Sequence, residues 1–207
     1  MKYIVSFAAS FLAAAAILSV FPVHGETEIY DNVLRLHVIA ESDSDEDQAL
    51  KLKVRDAVLM RLSDKLDKCI SFEEAYVIVD SMRSEIAETA EKCIRDNGAS
   101  YSVAVDLGHE KYPTRDYGDA SLPAGVYNSL RVVIGDGAGK NWWCVLFPTI
   151  CRGFASSSGK LSESEYAAVG FTPEEYRIIT ENTGEIRVKF RILEILSELA
   201  DDIFGIK

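Results

Sequence analysis

Histidine is scarce: the 207 residues hold three, and one of them, His24, falls in the apolar N-terminal leader. Only His37 and His109 remain beyond it. No H-E-x-x-H, C-x-x-C or G-x-S-x-G pattern occurs. The signatures of zinc proteases, thioredoxin-type redox proteins and α/β-hydrolases are therefore missing. Basic residues are also in deficit, with 22 Lys and Arg against 33 Asp and Glu, a formal charge of −11. Nucleic-acid binding normally needs a basic footprint, and anionic lipid repels an acidic surface. No apolar run after residue 25 is long enough to span a bilayer.

What is present begins with residues 1–25, MKYIVSFAASFLAAAAILSVFPVHG, which read as a secretory signal peptide. Lys2 is the basic start, residues 4–20 are the apolar run, Pro22 breaks it, and small residues precede Glu26. The same run, only slightly short for a spanning helix, also fits an uncleaved N-terminal anchor. Either way the remainder is expected outside the cytoplasm. Without residues 1–25 the basic count falls to 21 against 33 acids, a charge of −12. A domain of that size can bury about 70% of its unfolded surface. Four cysteines in an exported chain suggest disulfides. Cys144 and Cys151 flank Pro148, and a bridge there would close a small loop, contributing about 2–3 kcal/mol.

The least ordinary stretch is residues 122–151, LPAGVYNSLRVVIGDGAGKNWWCVLFPTIC. Residues 130–134 (LRVVI) and 142–147 (WWCVLF) read as strands, with Gly135, Gly137 and Gly139 between them, so a β-hairpin is expected. Alternation puts Trp142, Cys144 and Leu146 on one face and Trp143, Val145 and Phe147 on the other. Both faces are apolar, so the strand is either covered on both sides or keeps one side for a partner. The GDGAG run is not a P-loop, because no Gly-Lys-Ser/Thr and helix follow it.

Elsewhere, residues 33–40 (VLRLHVIA) read as a strand with its leucines in the core and Arg35 and His37 on a more polar face. The acidic run 41–47 lacks the glycine and glutamate of a calcium loop, and Ser44 with Asp47 fits a helix cap. An amphipathic helix is expected over 45–70 and a second, opened by Ser71 and Glu74, over 71–96. They abut, predicting an antiparallel helical hairpin with Cys69 at the bend and Cys93 at the far end, about 30 Å apart and unbridged. Residues 101–107 read as a strand and 109–119 as a polar loop. Residues 156–159 (SSSG) read as a flexible joint, the acidic stretch to 184 as two short helices, and 185–204 mainly as a C-terminal helix.

Two blocks carry a resemblance. Residues 35–59 (RLHVIAESDSDEDQALKLKVRDAVL) and 112–151 (YPTRDYGDASLPAGVYNSLRVVIGDGAGKNWWCVLFPTIC) resemble the stage II sporulation protein R family over about residues 33–151. Glu41 stands where that family usually has asparagine. Cys144 and Cys151 belong to the shared pattern; Cys69 and Cys93 do not. The resemblance implies a signalling protein of endospore-forming bacteria. It would be made in the forespore and secreted into the intermembrane space between forespore and mother cell. Its partner would be a membrane-embedded aspartic protease that processes the sigma-E precursor. It would act as a ligand, with no catalytic site, cofactor, nucleic acid or small-molecule substrate.

The expected fold is α+β: a small, mainly antiparallel sheet with a β-hairpin, packed on a helical hairpin and a C-terminal helix. Residues 26–155 would form the core domain, 156–184 an acidic linker with short helices, and 185–207 the C-terminal helix. Interface anchors are typically Trp, Tyr and Arg. The candidates are Trp143, Tyr127, Arg131, Tyr117 and Arg115, with Arg35 and His37 as a second patch; each also reads as an ordinary core or strand residue. The rival readings are an exported hydrolase or cell-wall-active enzyme using His37 or His109, and a passive extracytoplasmic module binding a small ligand beneath the tryptophans.

Overall fold

The computed structural model describes residues 26–117, 120–148, 163–168 and 171–180. The expected signal, the 156–159 joint, Cys151 and the 185–204 helix lie outside the described residues. Those described form α1 (Glu26–Asn32), β1 (Leu34–Ile39), α2 (Asp45–Leu66), α3 (Phe72–Ser81) and α4 (Arg83–Asp96). Then come β2 (Val103–Tyr112), β3 (Arg115–Tyr117), β4 (Ala120–Leu122), β5 (Gly125–Ile134), β6 (Asn141–Phe147), α5 (Glu163–Ala168) and α6 (Pro173–Thr180). The protein is α+β with a mainly antiparallel sheet. No helix among the described residues is long and apolar enough to cross a membrane.

The helices start where their caps dictate. The Ser44 hydroxyl accepts from Asp47 N at 3.2 Å, and Asp45, Glu46 and Asp47 fill the positively polarised first turn of α2. The acidic run is therefore a cap, and no His, Cys, Asp and Glu cluster suited to a metal ion occurs among the described residues. Ser71 caps α3 through Glu74 N, and the Glu74 carboxylate accepts from Ile70 N at 3.0 Å. Lys53 reaches Asn97 at 2.6 Å and Arg61 pairs with Glu85, so rising numbers in α2 meet falling numbers in α4. The two are antiparallel, as expected. The second helix, however, is not continuous over 71–96. It breaks at Met82 (φ −97°, ψ 1°), whose N–H is shared between the carbonyls of Ile78 and Val79 and whose side chain is buried in the core. Cys69 and Cys93 are free thiols.

The main sheet has the order β2-β5-β1-β6. This corrects the expected hairpin: the LRVVI and WWCVLF strands are not neighbours, because β1 lies between them. Leu36 faces Leu130 of parallel β5 on one side and Cys144 of antiparallel β6 on the other. Five of the six residues of β1 are buried, because both faces of the sheet are covered there. The glycine loop is thus a crossing over the end of β1. Gly139 N donates to Ala40 O at 2.9 Å and Ala138 N to Glu41 O at 3.1 Å. Gly135 and Gly137 have φ of 58° and 64°, and a Cβ on Gly139 would strike the Ser42 carbonyl.

One sheet face packs on the helices. Leu34, Leu36, Val38, Leu130, Val132 and Cys144 join Val54, Val58, Leu62, Ile86 and Ile94 in this core. Phe147 belongs here too, not with Trp143 and Val145 as strict alternation predicts, and the β1–β6 register shifts beside it, between Leu34 and Arg35. The other face carries a second cluster, with Ile29, Tyr112, Leu122, Tyr127, Val145 and Ile179 at its centre. The β3–β4 ribbon lies in this layer as a separate two-stranded sheet, so residues 109–117 are not a loop: β2 runs on to Tyr112 and β3 follows. Tyr166 and Phe171, around α5 and α6, are buried in the same cluster.

Candidate functional site

The second face is where polar chemistry collects. Side chains two apart on a strand share a face. Arg35 and His37 of β1, Glu110 and Tyr112 of β2, Tyr127 and Ser129 of β5, and Trp143 of β6 meet there through the contacts below. The ribbon adds Arg115 and Tyr117 over them. Six of the seven residues of the two expected patches come together here.

At one end His37 is fixed at both ring nitrogens: Nδ1 lies 2.7 Å from Glu110 Oε1 and Nε2 lies 2.8 Å from Asn141 Oδ1. Ser129 donates to Glu110 Oε2 at 2.9 Å and exchanges a 2.6 Å hydrogen bond with the Tyr112 hydroxyl. Burial pushes the Glu110 carboxyl up, but His37, Ser129 and Arg131 together outweigh it and hold the carboxyl below its ordinary value. Burial drives the Tyr112 phenol well above its usual range. The Trp143 ring lies 5.5 Å from the His37 ring.

At the other end the Arg35 side chain is completely buried. Its guanidinium carbon sits 3.9 Å from the Tyr112 ring centre, 4.8 Å from that of Tyr127 and 5.8 Å from that of Tyr117. Nη2 donates to the Tyr117 hydroxyl at 2.5 Å, while Nε and Nη1 have no acceptor. Arg115 stacks on Trp143 at 4.1 Å, and its buried Nε is likewise without an acceptor. Burial raises the Tyr117 phenol, against the pull of the Arg35 charge. Tyr127 donates to Pro123 O at 2.6 Å and meets Tyr30 edge-on at 5.0 Å.

Of the seven candidates, Arg35, Tyr117, Tyr127, Trp143, His37 and Arg115 are linked by these contacts. Arg131 lies beside His37 in the sheet register but is exposed, pairs loosely with Asp106 at 3.8 Å, and acts on the cluster only through its charge near Glu110. His109 makes none of the contacts of the cluster and is exposed. Sequence reasoning missed Glu110, Tyr112, Ser129 and Asn141. The signal was the alternation of β2, which continues through Gly108, Glu110 and Tyr112 on the face opposite Val103, Val105 and Leu107. Chemically, the arrangement is a saturated histidine beside an aromatic box holding an uncompensated cation. Ser129 bonds the carboxylate and the phenol, not the imidazole, so the cluster does not form a serine–histidine pair.

A family model described as Stage II sporulation protein R matches residues 30–157. Stage II sporulation protein R of Bacillus subtilis (strain 168) is 39% identical over 137 residues, which are 66% of this chain and 61% of the relative. The chain thus spans less than two thirds of that relative's length. No solved structure matches.

Proposed function

The chain belongs to the stage II sporulation protein R family, and on that premise we propose that it is a secreted signal that activates a membrane-embedded protease. Its role in sporulation comes with the family. The finer reading is ours. The forespore makes the protein, and residues 1–25 export it into the space between forespore and mother cell. There it binds an aspartic protease of the mother-cell membrane, which then processes the sigma-E precursor. A Cys144–Cys151 bridge suits that oxidising compartment. The ligand acts by binding the active state of the protease better than the inactive one, since only differential affinity shifts an equilibrium.

One observation carries this reading over an exported hydrolase. Both nitrogens of buried His37 are engaged by Glu110 and Asn141, and no hydroxyl or thiol is paired with it. A general base needs a free nitrogen within reach of the proton it takes. The aromatic and arginine-rich remainder of the face has the composition of an interface anchor.

Reconstitution tests it. The exported mature domain is co-expressed with the candidate protease and its sigma precursor, and cleavage is followed by immunoblot. Cleavage that needs both proteins and survives His109→Ala supports the ligand reading. Absence of cleavage from a demonstrably folded and exported protein would return the weight to the enzyme or passive binding-module readings. A folded Trp143→Ala protein that activates at normal dose would remove the tryptophan face from the interface.

A further inference from the structure

We propose that Arg35 and Arg115 form a receptor for a carboxylate. The inference rests on the reading above for its source: an acidic side chain presented by the protease partner. A buried charge is costly unless it is paired and hydrogen-bonded. Arg35 is fully buried, yet only one of its three nitrogens has an acceptor. Three tyrosine rings offset part of the cost through their electron-rich faces. Nε and Nη1 still have no hydrogen-bond acceptor, since the Tyr112 hydroxyl is engaged with Ser129 and that of Tyr127 with Pro123. Arg115 repeats the pattern, with one face on Trp143 and a buried Nε left open.

The two arginines are tied together. Tyr117, which binds Arg35, lies two residues from Arg115 on β3, and therefore on the same face of the ribbon. Among the described residues, two carboxylates of the neighbourhood are committed elsewhere. Glu110 serves His37 and Ser129, and Asp116 accepts from Ser121 at 2.7 Å. Glu175 is the internal rival. It is buried in α6, one oxygen holds the Thr172 end of that helix, and the other is unpartnered. The planar guanidinium fork pairs bidentately with carboxylate or phosphate, and an acidic side chain is the form in which a protein partner carries such a group.

Access runs through the ribbon. Its strands are three residues each, and they are hydrogen-bonded to one another and not to the four-stranded sheet. Two-stranded ribbons are marginal on their own. The route we propose is a displacement of β3 alone, whose Arg115 and Tyr117 are half-buried, while β4 stays buried in the second core cluster.

The test uses the full mature chain with its arginine side chains isotopically labelled. The Nε–H signals of Arg35 and Arg115 are followed by NMR during titration with acetate, then with phosphate at matched ionic strength. A saturable shift of both signals with acetate, absent with phosphate and lost in Arg115→Gln, is the expected result. In the processing assay Arg115→Gln, a change on the half-buried ribbon, should raise the dose needed by about tenfold or more. Shifts with phosphate as large as with acetate would overturn the carboxylate assignment. Arg signals that move in Glu175→Gln with no acid added would also overturn it, since Glu175 would already be the partner. If wild type drives no processing but acetate binds, the signalling reading fails and the receptor stands. If wild type drives processing but the arginine signals ignore acetate and Arg115→Gln is normal, the receptor fails and the signalling reading stands.

Discussion

His37 Nδ1 and Glu110 Oε1 lie 2.7 Å apart although their strands, β1 and β2, are not neighbours. The bond spans β5, and Ser129 of that intervening strand holds the second carboxylate oxygen. A short strand face is thereby tied across three strands by side chains alone. Glu110→Gln keeps the shape and removes the charge. Hydrogen bonds to charged groups contribute about 1.5–3 kcal/mol, so a loss of that order is expected at pH 7.

The pH dependence has a definite sign. The Glu110 carboxyl is held below its ordinary value. Its contribution is complete above the unfolded carboxylate range, near about 4.3, and is lost as pH falls through the lower folded value. Urea midpoints of wild type and Glu110→Gln should therefore differ at pH 7 and converge in acid. A gap independent of pH would mean that the charge contributes nothing.

Gly139→Ala tests the crossing over β1. The added methyl would meet the Ser42 backbone carbonyl, which cannot swing aside as a side-chain tip can. Crowding of this kind typically costs about 1–3 kcal/mol. Gly108→Ala is the control, because its methyl would meet only the Asp106 carboxylate at 4.0 Å. That change should fall within about 0.5 kcal/mol of wild type. Equal effects in thermal melts would contradict the close approach of the loop to residues 40–43.

Local chemistry was legible in the sequence. The Ser44 and Ser71 caps, the Leu50–Val54–Val58–Leu62–Leu66 stripe and the two-faced β1 follow from rules that act within a few residues. The Thr172–Glu175 box is also formed, with Glu175 N donating to Thr172 Oγ1 at 3.2 Å. Strand order was not legible. Two strands with a glycine loop satisfy the hairpin pattern whether or not a third strand from far upstream, Leu34–Ile39, inserts between them. Nothing in residues 33–40 announces a neighbour on each side, because side-chain pattern reports which faces are covered and not which strand edges are paired. The break at Met82 has no glycine or proline to announce it. In the site, residue type was enough to single out Trp143, Arg35 and Arg115. Their partners Glu110 and Tyr112 were not singled out, because the charges around them disguised the end of β2 as a loop.

The two free thiols should be slow to react. Burial, with Glu74 nearby, raises the Cys69 thiol, and burial, with Asp96, raises that of Cys93. Less thiolate means slower alkylation. Cys69 is 6% exposed, so it should be the better protected of the two. Iodoacetamide labelling followed by mass spectrometry, with and without denaturant, measures this. Native Cys69 labelled as fast as in the unfolded chain would contradict its place beneath the α2–α3 turn.

Arg35→Met separates the cost of the buried guanidinium from its use. Methionine keeps an apolar stem of similar length among Tyr112, Tyr127 and Tyr117 and removes a charge that has one hydrogen bond. Replacing buried charges with packed apolar groups is often neutral or stabilising, by about 1–4 kcal/mol. Arg35→Met should therefore melt at or above the wild-type temperature. Arg35→Ala should melt below it, because truncation leaves the tyrosine box empty and large-to-small changes in cores cost about 2–5 kcal/mol. If the proposed function holds, activity should move the other way, with Arg35→Met stable yet impaired in protease activation, as when strain kept at a functional site is stability given up for binding. A strongly destabilised Arg35→Met would show instead that the guanidinium holds the fold together, and the box would then be structural.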